Sequence, residues 1–176
     1  MKATGIVRRI DDLGRVVIPK EIRRTLKIRE GDPLEIFTGA GGEVVFKKYS
    51  PMGEMAEFAG DYAEAIFGST NFPVIICDRD HCVAAAGISK KEALGRNVTA
   101  YLDEIMENRK CFFTADAASP ALEGVERCFC VACPIMAAGD VSGVVALLAG
   151  EGLGVATDSD IKLVTVAASF LGRQTE

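Results

Sequence analysis

Residues 9–27 read RIDDLGRVVIPKEIRRTLK, and the order of signals in this stretch sets the fold of the N-terminal part. Asp11-Asp12-Leu13-Gly14 is a polar turn closed by a glycine, which adopts positive φ without the clash that a Cβ would bring. Ahead of it, Thr4–Ile10 predicts a short strand, and behind it Arg15–Ile18 predicts the returning strand. Pro19 cannot donate to a ladder, and its fixed φ suits the first turn of a helix. That helix is predicted over Lys20–Lys27, with Ile22 and Leu26 one turn apart on one face.

Further along, Gly31-Asp32-Pro33 interrupts the chain, and Leu34–Thr38 and Glu43–Tyr49 are β-prone runs around Gly39–Gly42. The glycine-rich stretch lacks the Lys-Ser/Thr of a phosphate loop and reads as a hairpin turn. Fifty residues in this order hold few large apolar side chains and no tryptophan, too little for the core of a monomer. No disulfide or metal pattern in them compensates. Dimerisation remains, with strands of two chains completing one barrel and covering each other's edges.

Ser50-Pro51 and Gly53 form a hinge before a helix predicted over Glu54–Phe67, where Met55, Ala59, Tyr62 and Ile66 make a heptad-like stripe suited to pairing with its twin. Phe72–Cys77 and His81–Ala86 are strands about the turn Asp78-Arg79-Asp80. Ser89 is placed to cap a helix beginning Lys90-Lys91-Glu92, and helical pattern resumes over Thr99–Arg109. Cys111–Thr114 is a further strand. Cys128–Met136 and Gly143–Leu148, joined by Ala138-Gly139-Asp140, are apolar on both faces and therefore central. A last helix, Ser159–Gln174, is capped by Thr157 or Asp158. One of its faces carries Ile161, Val164, Ala168 and Leu171, another Leu163, Val166, Ala167 and Phe170. A helix apolar nearly all round calls for a sheet on one side and a partner helix on the other.

Six cysteines without a secretion signal are expected as reduced, mostly buried thiols. Cys128-x-Cys130-x-x-Cys133 raises a metal or redox site as the alternative, but strand alternation places Cys128 and Cys130 on one face and Cys133 on the other, poor metal geometry. His81, the single histidine, lies beside a turn with no nucleophile to serve. No acid, base and nucleophile set stands at recognisable spacing, so the chain is expected not to be an enzyme, with no cofactor and no metal. The N-terminus lacks the apolar segment of a signal peptide, and runs such as Gly143–Gly150 are far short of a membrane span. The expectation is a soluble, cytoplasmic, nucleoid-associated protein.

Charge separates the two parts. The chain has net charge −5, yet residues 1–50 hold 11 Lys and Arg against 7 Asp and Glu, a net of +4, leaving −9 on the rest. Within residues 1–29 the cations are Lys2, Arg8, Arg9, Arg15, Lys20, Arg23, Arg24, Lys27 and Arg29, against Asp11, Asp12 and Glu21. Arginine supplies a planar fork of donors matched to phosphate and to the guanine edge. Double-stranded DNA is therefore the expected partner of this end. The competing reading is a solvated face whose arginines pair with Asp11, Asp12 and Glu21.

The stretch MKATGIVRRIDDLGRVVIPKEIRRTLKIREGDPLEIF resembles the swapped-hairpin DNA-binding domain of the transition-state regulators, the AbrB-like family. With its longer acidic tail the whole chain resembles members in which a GAF-like sensor domain follows that head. The resemblance implies an α+β chain: residues 1–50 a swapped-hairpin β-barrel formed by a dimer, 51–68 a linking helix, and 69–176 a GAF-like α/β sensor and oligomerisation domain. It implies a homodimer through the N-terminal domain and a homotetramer through C-terminal helices, acting as activator or repressor on genes of late spore development, in the forespore. It assigns DNA contact to Arg8, Arg15, Arg23 and Arg24, with Arg9, Lys2 and Lys20 as secondary candidates, and it allows an unknown small ligand in the GAF-like domain. Asp11 and Asp12 read as residues that shape the loop. Antitoxins that neutralise a toxin and autoregulate their operon share this N-terminal fold, but carry a short disordered tail where this chain reads as folded.

Overall fold

The computed structural model describes residues 4–116, 119–150 and 152–175 and falls into two compact units, Met1–Tyr49 and Ser50–Glu176. In the first unit, helix α1 (Lys20–Thr25) starts directly after Pro19. It ends where Lys27 turns to φ 51 and the Ile28 N–H reaches back to the Arg23 carbonyl at 2.8 Å, which satisfies a carbonyl the last turn leaves open. Strands β1 (Leu34–Thr38) and β2 (Val44–Lys48) pair antiparallel from Leu34↔Lys48 to Thr38↔Val44. Gly42, at φ +79, makes the turn between them.

The strands expected over Thr4–Ile10 and Arg15–Ile18 do not form in the single chain. The turn between them does, with the Asp11 N–H on the Arg15 carbonyl at 3.0 Å, but neither flank has a ladder. A strand exists only against an edge, and among the described residues of this unit the one hairpin, β1 with β2, is paired with itself. Ile6, Val7, Ile10, Leu13, Val16 and Val17 are consequently exposed, Val7 to 85% and Val17 to 71%.

The second unit begins with α2 (Pro51–Glu54) and α3 (Ala56–Thr70), separated at Met55. Ser50 fixes the start: its hydroxyl oxygen accepts from the Gly53 N–H at 2.9 Å and the hydroxyl donates to Asp78 at 2.8 Å. There follow β3 (Val74–Asp78), β4 (Cys82–Ala86), α4 (Lys90–Ala93), α5 (Ala100–Glu107), β5 (Phe112–Phe113), β6 (Ser119–Pro120), β7 (Cys128–Ala137), β8 (Asp140–Leu148) and α6 (Asp158–Gln174). The strands make one antiparallel sheet in the order β4-β3-β8-β7-β5, with β6 also paired to β7.

Side chains alternate across this sheet, so each face has its own core. Val74, Ile76, Val131, Ile135, Val145 and Leu147 meet Ala59, Ala63 and Ile66 of α3 and Val164, Ala168 and Leu171 of α6. On the other face Ile75, Ala132, Val144, Ala146 and Leu148 meet Ala93, Leu102, Ile105 and Met106 from α4 and α5. The segment expected as a linking helix is thus a covering helix of the second unit. Its stripe is too apolar to stay in water, and the nearest apolar surface is the sheet of the same chain.

Helix α6 is fixed at its start by a capping box between Thr157 and Asp160. Of its second apolar set, Ala167 is buried, Leu163 half-buried, and Val166 and Phe170 remain 61% and 38% exposed. Phe170 lies beside α3, its ring centre 5.5 Å from that of Tyr62 and 6.0 Å from that of Phe58. Phe58 is itself 40% exposed.

Two expectations about cysteine are corrected. A bulge between Phe129 and Val131 in β7 shifts the alternation, so Cys130 and Cys133 both face the α3/α6 layer instead of opposite sides. The six are also not all free thiols, because Cys111 and Cys133 are joined as a disulfide. Their 22-residue separation hides a pairing that only the β5–β7 register creates.

Gly172 in α6 sits against the backbone of Met136, whose carbonyl oxygen occupies the place of any Cβ added there. Gly172→Ala should therefore push α6 off β7 and cost about 1–3 kcal/mol. Urea unfolding of the variant against the parent tests this, and unchanged stability would mean that the helix moves freely over the sheet.

Candidate nucleic-acid interface

The candidate cations of the first unit are carried on three local structures. Arg8 and Arg9 precede the Asp11–Gly14 turn, Arg15 follows it, and Lys20, Arg23 and Arg24 belong to α1. Arg8, Arg9, Arg15, Lys20 and Arg24 are exposed. Arg23 is half-buried, its Nε–H donating to the Ile18 carbonyl at 3.2 Å. Lys2 lies outside the described residues.

Asp11 organises the turn. One carboxylate oxygen accepts the Arg15 N–H at 2.7 Å and the Leu13 N–H at 3.1 Å, and the other accepts the Arg15 Nε–H at 2.8 Å. This is the side-chain-to-backbone pairing that makes Asp a turn residue. The Arg15 N–H, then its guanidinium, then the Leu13 N–H hold the Asp11 carboxyl below the usual aspartate range. Arg15 keeps 70% of its side chain in water despite this pair, which uses only the Nε–H and leaves the other four of its five donors available. The pairing foreseen by the solvated-face reading exists at Arg15, but it anchors the stem of the side chain and leaves the fork open.

Elsewhere the unit is stitched by contacts that the sequence pattern did not single out. Asp32 accepts the Arg29 N–H at 2.8 Å and lies 3.4 Å from the Lys48 ammonium, which also donates to the Lys27 carbonyl at 2.9 Å. Lys48 and Asp32 thus join the end of α1 to the hairpin, and these charges are structural.

Across the described residues of both units, no helix is long and apolar enough to cross a membrane. His81 is exposed, its backbone N–H donating to Asp78 at 2.7 Å in the β3–β4 turn. The Cys128, Cys130 and Cys133 motif is not assembled into one site: Cys130 points into the core and Cys133 is bonded to Cys111.

Residues 54–176 match the family model described as stage V sporulation protein T C-terminal, transcription factor, and residues 7–53 match that of the MazE antidote-toxin recognition family of bacterial antitoxins. Stage V sporulation protein T of Bacillus subtilis (strain 168) is 49% identical over 180 residues, covering 100% of this chain and 99% of the relative. The transition state regulatory protein AbrB of the same organism is 59% identical over 51 residues, 29% of this chain and 52% of that protein. Among solved structures, the GAF domain of an Acinetobacter phosphoenolpyruvate-protein phosphotransferase matches with a TM-score of 0.58 at 10% identity, over 73% of this chain and 84% of that one.

An AbrB-type head followed by a unit of GAF fold defines a transcription regulator in two parts. The chain belongs to the stage V sporulation protein T family of transcription factors.

Because the folded Asp11 carboxyl is depressed, its hold on the turn is complete above the ordinary aspartate range and is lost as pH falls through the folded value. Protection of the Leu13 and Arg15 amides, measured by NMR as the exchange rate relative to the intrinsic rate at each pH, should fall on acidification, and Asp11→Ala should lack that protection already at neutral pH. Equal exchange in parent and variant at neutral pH would rule out Asp11 as the organiser of the loop.

Proposed function

We propose that the first unit binds double-stranded DNA as a dimer through Arg8, Arg15, Arg23 and Arg24, with Arg9, Lys20 and Lys2 contributing to the electrostatic approach. The observation that carries this reading is that both flanks of the Asp11–Gly14 turn are apolar, exposed and without a ladder, while the arginines between and beside them project into solvent. A second copy supplies the missing edges: Thr4–Ile10 and Arg15–Ile18 of two chains pair, and Val7, Ile10, Val16 and Val17 become a shared interior. The duplication brings two sets of guanidinium groups together, which a phosphate backbone of repeating charge rewards. Arg23, steadied by the Ile18 carbonyl, and Arg15, steadied by Asp11, are poised for directional contacts, whereas Arg8, Arg9, Lys20 and Arg24 act as freer charges.

On this reading the second unit assembles dimers into a tetramer through α3 and α6 and carries the response to a small ligand. Support for assembly is the exposed patch of Phe58, Val166 and Phe170 on two adjacent helices. The ligand role rests on the GAF fold alone. The site of action is the nucleoid, in the cytoplasm, at genes of spore development. An antitoxin role draws its support from residues 7–53 alone. It provides no use for a folded tail of over a hundred residues, so transcription regulation is the conclusion kept.

In a gel-shift salt series, log affinity against log salt should fall with a slope near −5 if about six phosphates are neutralised, and Arg15→Ala or Arg24→Ala, each removing one contact per chain of the dimer, should reduce the slope by about 2. Affinity and slope unchanged in both variants would remove the DNA assignment. For assembly, Val17→Asp should stop the heads pairing, and Phe170→Ser with Val166→Ser should reduce a tetramer to a dimer in sedimentation equilibrium. A parent that sediments as a monomer would overturn the arrangement.

A further inference from the structure

Strand β5 is an edge strand of two residues, held to β7 by the pairs Phe112↔Ala132 and Phe113↔Val131. The Thr114 N–H donates to the Cys130 carbonyl at 2.9 Å, which makes 114 and 130 a hydrogen-bonded pair. Counting back along the ladder, 113 and 131 fall at a narrow site, 112 and 132 are the next hydrogen-bonded pair, and 111 and 133 fall at the narrow site just beyond it. At narrow sites opposite residues approach most closely, and the two Cα atoms here are 4.2 Å apart. The pairing of Cys111 with Cys133 therefore follows from backbone register.

The two sulfurs differ in access. Cys111 is exposed and Cys133 is fully buried. The remaining core thiols are poor nucleophiles by contrast. Cys77 is pushed well above the ordinary thiol range by its hydrogen bond to Cys82 and then by burial, and Cys130 is raised by burial. Thr165 of α6 touches both bonded sulfurs, its oxygen 3.7 Å from Cys111 and 3.6 Å from Cys133, while its own hydroxyl donates to the Ile161 carbonyl at 2.8 Å. With that proton committed, the Thr165 oxygen is an acceptor ready for a thiol S–H. The open pair would keep a hydrogen-bond partner inside the protein, so both redox states fit one backbone.

We propose that Cys111 and Cys133 form a reversible redox site, in which the exposed Cys111 sulfur receives a two-electron oxidant and Cys133 resolves it. With a peroxide, the Cys111 thiolate attacks one oxygen, the O–O bond breaks and water leaves, giving a sulfenic acid. The Cys133 sulfur then displaces hydroxide from Cys111, which departs as a second water once protonated. With a small disulfide, Cys111 displaces one thiol to form a mixed disulfide, and Cys133 displaces the other. In each case two protein thiols are oxidised by two electrons and the oxidant is reduced by two. A protein acting on DNA inside the cell meets reducing surroundings, where a disulfide is a transient, redox-responsive bond; this part rests on the reading above. Closing the bond clasps the short β5 edge to β7 beneath α6, the helix that also exposes Val166 and Phe170.

The test uses the full chain without DNA, so that loss of DNA binding and loss of this site are separate results. Reduced protein is treated with hydrogen peroxide in one arm and cystine in the other, then unfolded in denaturant so that buried free thiols are alkylated as well, and cross-linked peptides are mapped by mass spectrometry. Cys111 and Cys133 should become protected together, linked to each other, and be released by dithiothreitol, with Cys77, Cys82 and Cys130 alkylated in the unfolded chain. Linkage in one arm alone identifies the class of oxidant. The linked form should melt about 5 °C higher, because the bond constrains the unfolded chain. Cys111→Ser, at an exposed position, should abolish both the protection of Cys133 and the shift, while Cys128→Ser leaves both intact. Protection of Cys133 in Cys111→Ser, a first link between any other pair, or stepwise oxidation of Cys111 without linkage in wild type would each overturn the proposal.

Discussion

Strands β7 and β8 lie side by side with apolar groups on both faces: Val131 and Ile135 beside Val145 and Leu147 on one, Ala132 beside Val144, Ala146 and Leu148 on the other. A sheet of that kind has no side it can turn to water. It must be covered twice, and the order of helices along the second unit follows from this demand. Helices α3 and α6, from opposite ends of the unit's sequence, meet over one face, while α4 and α5, inserted between β4 and β5, cover the other. Closeness matters as much as polarity, as Gly172 against the Met136 carbonyl shows.

The first unit is governed by the opposite condition, apolar side chains that the described residues leave exposed. Its order comes from local devices instead: Pro19 opening α1, Asp11 holding the Arg15 turn, and Lys48 tying the hairpin to the Lys27 carbonyl. These keep the positions of the arginines defined without a large core. The same separation appears in charge, +4 in residues 1–50 and −9 beyond them, so the polyanion-seeking surface is confined to the part that is incomplete alone.

Local signals were legible wherever one short stretch decided the outcome. The Asp11–Gly14 turn, the Pro19 helix start, the Leu34–Lys48 hairpin and the Thr157 cap could all be read from neighbouring residues. What escaped depended on register between distant segments. The bulge at Cys130 reverses a face assignment, and the Cys111–Cys133 bond requires β5 opposite β7, neither of which leaves a periodic trace. The stripe Met55-Ala59-Tyr62-Ile66 was legible as apolar, but a periodicity does not say whether the surface it meets belongs to another chain or its own. At the candidate interface, residue identities were readable; the partial engagement of Arg15 with Asp11 and Arg23 with the Ile18 carbonyl was not, since both depend on how tightly the turn closes.

The exposure of Val7 and Val17 bears on dosage. If two chains are needed to make one competent head, the number of heads grows roughly as the square of the chain concentration while the protein is scarce, and linearly once pairing saturates. A regulator built so stays nearly silent at trace levels and engages over a narrow window of synthesis, giving a threshold without any effector. Dilution at cell growth would reverse it by the same law.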